Sequence, residues 1–421
     1  MKARQTLISY VAFPVLLILL LAGLTYANFS FALMAPGGND FLPRYLGTRA
    51  WILEGTSPYD PSISAEAQQV IYGRPANPEA GEDVAHFVYP LPVVLFIAPF
   101  SLFPYPLARA LWMTTLEVLL PLLFIIGLRL TSWRPGRWFL GGLMLFSILW
   151  YFGFRAMILG QFAVVEAVLV AAALWMIRQE RDIAAGILLA LSIAKPQVPF
   201  LLIPWVVIWA ASRRRWTLAI STVGAIGGLI VGFMAVIPDW PLQWIYQVLE
   251  YPSYSPESSP VKIIADALPA ASSIVVVLLS VGLLVYLLAE WWLGYGEGER
   301  HFQWTAAMTL TIGQLVLFRT SSTNFLVLGP ALILFLSIVI ERWGRVGRAW
   351  AAAALIGLVV LPWALFLTTL VGDQEHSVML LTMPLIMLVS LWWVRWWAVH
   401  APLVALTAQA PPTGRPGSRS V

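Results

Sequence analysis

The chain has 421 residues, 60% of them hydrophobic and 11% charged, with a formal net charge of +4 and a mean hydropathy of +0.80. A water-soluble domain carries about 25% charged residues, so the composition excludes an ordinary soluble fold and points to a polytopic membrane protein. The absence of Cys excludes disulfides, thiolate zinc sites and cysteine nucleophiles, and His86, His301, His376 and His400 show no metal-ligand spacing.

A helix needs about 20 apolar residues to cross a bilayer. Apolar runs of suitable character lie at 7–27, 105–130, 138–154, 162–178, 183–196, 197–212, 216–237, 270–293, 302–318, 325–340, 349–371 and 377–399, which predicts roughly twelve spans. The first has no small-residue cleavage site after its apolar core and reads as an uncleaved anchor. The stretch 87–103 is apolar but cut by Pro90, Pro92 and Pro99, so it reads as an interfacial helix rather than a span. The pair 183–196 and 197–212 is short, with Lys195 and Pro196 between its halves, and suits a broken or re-entrant pair.

With these spans, most of the 25 Lys and Arg fall in one set of loops, including Arg213, Arg214, Arg215, Arg342, Arg345 and Arg348. Cation-rich loops stay cytoplasmic, so both termini are expected inside. Two larger loops then face outward, at 28–104 and 238–269. The expected organisation is one all-α transmembrane domain over 1–400, with a disordered cytoplasmic tail at 401–421 that is rich in Pro, Gly, Ser and Arg. The 21 Trp and 13 Tyr suit interfacial belts.

The runs NDFLPRYLGTRAWILEGTSPYD, FVYPLPVVLFIAPFSLFPYPLARALW and LGQFAVVEAVLVAAALWMIRQERDIAAGILLALSIAKPQ resemble the polyprenol-phosphate-mannose-dependent alpha-1,2-mannosyltransferases, glycosyltransferase family 87 of the GT-C superfamily. The matching positions are Asp40-Phe41, Gly55 to Tyr59, Tyr89-Pro90, Gly160-Gln161 and Lys195-Pro196. The resemblance implies a GT-C-like bundle of about twelve transmembrane helices with outer interfacial helices in the first extracytoplasmic loop. It also implies transfer of mannose from a polyprenyl phosphate to a glycan or glycolipid hydroxyl, with inversion, at the outer face of a bacterial-type plasma membrane. One departure is FRTSSTNFLVLGP, where Thr323 and Asn324 stand in place of a His pair.

A glycosyl phosphate already carries a good leaving group, so the carboxylate pair of glycosidases reduces to a single base. Asp40 fits that role; its structural alternative is an N-cap for the helix that follows. Lys195, Arg319 and Arg155 fall at outer helix ends and are candidates for the donor phosphate, against an alternative of snorkelling to headgroups. Gln161 is a candidate for orienting sugar or phosphate, or else a helix cap. Asp60 reads as a turn-closing residue, and Glu117 and Glu166 as intramembrane carboxylates paired with Arg109 or Arg155. Neither metal nor cofactor is expected. A lipid-linked-oligosaccharide polymerase or ligase and a transporter or flippase are the rival classes. The first should carry its major outer loop later in the chain, and the second should line a midplane path with charge.

Overall fold

The structure is a computed structural model and describes residues 2–35, 40–254, 258–317, 319–370 and 375–400. The tail at 401–421, Asp373 and Phe318 lie outside the described residues. Among the described residues there are helices and turns but no strand.

α1 (Lys2–Met34) is longer than its apolar stretch demands, and Asn28, expected to begin a loop, lies inside it. Its buried amide donates to Thr114 Oγ1 and Glu117 Oε2, both at 3.0 Å. Glu117 is therefore held by Asn28 and not by the arginine expected from the sequence. α2 (Leu42–Glu54) and α3 (Pro61–Tyr72) follow, then α4 (Val94–Ser101), the short apolar helix that proline spacing indicated. α5 (Tyr105–Thr131) packs along α1, and Arg109 near its start donates to the Ala35 carbonyl at 2.5 Å.

α6 (Arg137–Leu149) and α7 (Tyr151–Leu159) meet at a 45° bend. α8 (Ala163–Arg178) runs through the middle of the bundle, against α5 and α9 (Asp182–Leu191). Glu166 is fully buried there, and neither carboxylate oxygen accepts a hydrogen bond among the described residues. The expected Arg155–Glu166 pair does not form, because Arg155 binds Glu375 at 3.2 Å.

α10 (Leu202–Ser212), α11 (Trp216–Met234), α12 (Trp240–Glu250) and α13 (Pro260–Ala265) lead to α14 (Ser272–Gly294) and α15 (Glu299–Val316). A buried 3-10 turn, Ser322–Leu328, feeds α16 (Gly329–Thr369), which breaks at Gly344 with φ 56° and ψ −116°. α17 (Met379–Val399) closes the order. The twelve apolar runs are thus largely helical. Among the described residues, six helical stretches are long and apolar enough to cross a membrane, or seven if the bent α6–α7 pair is one span. The segments 183–196 and 197–212 fall short because α9 and α10 are short helices joined by turns.

Ion pairs gather at one end of the bundle: Arg178–Glu299 at 2.8 Å, Arg215–Asp182, and a two-pronged Arg395–Glu290 pair at 2.8 Å. At the other end, the turns after α1, α7 and α9 and those before α16 come together around a cavity.

Candidate active site

The cavity holds about 310 Å³. Asp40, Arg44, Gln161, Lys195, Arg319 and Asn324 supply most of its polar lining, and Tyr89, Trp244 and Tyr251 supply aromatic walls.

Asp40 is held by its neighbour. The Phe41 ring is buried and stacks on Trp112 at 5.4 Å and 11°. Trp112 Nε1 in turn donates to the Gly160 carbonyl at 2.9 Å. Gly160 has φ +71°, and a Cβ there would sit 2.6 Å from Phe41 Cβ, so only glycine admits this contact. The next residue is Gln161. Its Oε1 accepts from Lys195 Nζ at 3.0 Å, and its side chain lies near Asp40. An amide accepting through oxygen has its nitrogen free to donate, so Gln161 joins the ammonium and leaves its NH2 for a partner in the cavity. The capping alternative for Asp40 fails: Phe41 occupies the N-cap of α2, with no side-chain cap bond.

Lys195 is 3% exposed and sits in the turn between α9 and α10, just before Pro196. Its Nζ lies 5.9 Å from the Tyr89 ring centre, and the Arg44 guanidinium lies 4.4 Å from the same ring. Arg44 is one helical turn beyond Asp40. Its Nε is buried with no hydrogen-bond partner among the described residues. Arg319 donates to the carbonyls of Tyr251 (3.3 Å) and Pro252 (3.5 Å) from the opposite wall. Asn324 donates to Thr320 Oγ1 at 3.1 Å, and its own Oδ1 is buried without a partner among the described residues. Of Thr323 and Asn324, Asn324 lines the cavity and Thr323 does not.

Burial pushes the Asp40 carboxyl above the ordinary range, since the charged form loses hydration. Arg44 and Lys195 pull it back, Asp83 adds to the rise, and the Gln161 side chain opposes it. The result is a carboxylate with raised basicity facing cations, an arrangement suited to taking a proton beside an anionic group.

The structure brings together Asp40, Gln161, Lys195 and Arg319, and separates Arg155 from them. The Arg155 partner Glu375 also accepts from Tyr151 Oη at 3.0 Å and Ser322 Oγ at 2.8 Å, which makes this cluster a tie between α7, the turn before α16 and the segment before α17. Asp60 caps α3, accepting from the Ser62 amide at 2.9 Å. His376 accepts from its own turn, at Val378 N, 3.2 Å away. The residue that sequence reasoning missed is Arg44. Its spacing of four from Asp40 on a helix start was the available signal.

Residues 87–262 match the model of glycosyltransferase family 87. The match supports a membrane glycosyltransferase, and with it a sugar donor and an acceptor. No curated protein and no solved structure matches the chain. The matched segment includes Tyr89, Gln161, Lys195, Trp244 and Tyr251 of the cavity. Asp40, Arg44, Arg319 and Asn324 lie outside it and join the site through the fold.

Proposed function

We propose that the cavity binds a polyprenyl-phosphate sugar and transfers the sugar, with inversion, to an acceptor hydroxyl. Mannose is the sugar proposed, on the family-87 resemblance. The observation that carries this reading is one carboxylate of raised pKa, Asp40, in a cavity with three cations, Arg44, Lys195 and Arg319. As the acceptor oxygen bonds to the anomeric carbon, its proton passes to Asp40. The bond from that carbon to the phosphate oxygen breaks, and its electron pair leaves with the polyprenyl phosphate. Charge grows on the phosphate during this step, and cations already fixed around it stabilise that charge without reorganising. Arg offers a two-pronged fork and Lys a point charge. Gln161 accepts from Lys195 and so holds the ammonium at the cavity wall. A single displacement inverts the anomeric centre.

Topology supports an extracytoplasmic site: the end opposite the cavity carries Arg213, Arg214 and Arg215, and cation-rich loops stay inside. Both termini are then cytoplasmic. The test is incubation of the purified protein with polyprenyl-phosphate sugars and a panel of lipid and glycan acceptors, read by product mass. A sugar-sized mass gain on an acceptor, dependent on the lipid-linked donor, is expected. Absence of product from every lipid-phosphate donor, with product from a nucleotide sugar, overturns the reading.

A further inference from the structure

α12 is amphipathic, and its apolar side faces away from the protein. Leu242 (59% exposed), Ile245, Tyr246 (70%) and Leu249 (71%) recur at the spacing of one helix face and lie open. The opposite face is engaged. Trp240 is buried. Gln243 accepts from Ser57 Oγ at 2.7 Å, Trp244 Nε1 donates to the Val88 carbonyl at 3.0 Å, and Gln247 accepts from Val88 N at 2.9 Å and donates to the Tyr59 carbonyl at 3.3 Å. A helix at a water surface turns its apolar side inward. Here an apolar stripe faces outward, while the two glutamines of the helix face inward.

The chain reaches α12 directly from α11, one of the helices able to cross a membrane, whose end and following turn expose Val231, Met234 and Val236. Five residues separate the two helices, and a chain spans at most about 3.3–3.6 Å per residue, so α12 starts within a short reach of the membrane surface. Its 11 residues, at about 1.5 Å each, are too few to cross a hydrocarbon core of about 30 Å. We infer that α12 lies in the plane of the membrane, with the stripe Leu242, Ile245, Tyr246 and Leu249 buried in the lipid leaflet on the cavity side. Its bonded face forms one wall of the cavity.

Val248 belongs to both surfaces, since it lines the cavity and is 40% exposed at its edge. The cavity therefore meets lipid along α12, and a lipid-linked donor slides in from the leaflet without carrying its tail through water. That path rests on the proposed donor; the seat of α12 in lipid does not.

The chain has no native Cys, so single cysteines at Leu242, Ile245, Tyr246 and Leu249 can be spin-labelled one at a time, with exposed Glu66 as a reference. The full protein is reconstituted into phosphatidylethanolamine–phosphatidylglycerol vesicles, and collisions with oxygen, which partitions into lipid, are compared with those of a water-soluble nickel chelate. All four stripe positions should show an oxygen-to-nickel ratio several-fold above that of Glu66. A ratio equal to that at Glu66 overturns the inference in favour of a water-facing helix. Suppression of both collision rates overturns it in favour of a second copy of the chain covering the stripe. Neither outcome depends on transfer activity.

Discussion

Asp40 is set apart from the other acidic residues of the chain by what surrounds it. Asp60 and Glu82 also sit in the loop between α1 and α5, but their carboxylates are held down by hydrogen bonds at the surface. Asp40 is pushed up by burial, and Arg44 and Lys195 limit the rise. A base works only when ionised, so transfer should fall as pH drops through the Asp40 pKa, at a pH above its ordinary 3.8. Arg44→Gln removes a charge that favours the ionised form, so the acid limb should move to higher pH. A pH profile of kcat/KM for both proteins checks the sign; an acid limb that stays put in Arg44→Gln contradicts the assignment. Lys195 and Arg155 make a second contrast. Lys195→Met should weaken donor binding by about 1.5–3 kcal/mol, the usual worth of a charge-assisted hydrogen bond. Arg155→Met should leave donor affinity unchanged and lower thermal stability, because it abandons the Glu375 carboxylate. Donor titration and thermal unfolding of the two variants separate the roles.

At the scale of elements, the site depends on three breaks in helical structure: the turn before α2, the α7–α8 junction at Gly160, and the α9–α10 turn at Lys195. Gly160 couples the first two. Gly160→Ala should destabilise the protein by more than the roughly 1–2 kcal/mol that a left-handed backbone costs a residue with a Cβ, because the added carbon also meets Phe41 at 2.6 Å. A fall in unfolding temperature together with loss of donor binding is expected; an unchanged unfolding temperature contradicts the coupling. These breaks were partly legible. Gly160-Gln161 and Lys195-Pro196 stand out in the sequence because glycine and proline interrupt apolar runs. The link from Gly160 to Asp40-Phe41 was not legible, since it passes through Trp112 on α5, and hydropathy carries no information on which way a buried ring points. For the same reason Arg155, at a helix end like Lys195, could not be sorted from it. Its side chain is taken up by Glu375, which Tyr151 and Ser322 also hold.

For the whole molecule, an all-α membrane architecture follows from composition alone, and the apolar runs locate the helices closely. Their lengths are another matter. Asn28 continues α1 because Thr114 and Glu117 satisfy its amide inside the bundle, a pairing between distant positions that no local window detects. Runs 325–340 and 349–371, by contrast, lie on either side of a non-helical break at Gly344, and Gly347 packs back against the Val339 backbone, so the turn that the intervening arginines suggested is present. The cavity is a further case: its residues come from the segment after α1, α2, the turns at 88–90, 161 and 194–197, α12 and the turn before α16, and only folding assembles them. The central claim is that this assembly makes Asp40 a base. The most direct measurement is single-turnover transfer from a polyprenyl-phosphate sugar by purified protein and by Asp40→Asn, with donor binding followed in the same samples. Asparagine keeps the size but cannot take a proton, so the rate should fall by about a hundredfold or more while donor binding persists. Transfer by Asp40→Asn at close to the unsubstituted rate would contradict the account.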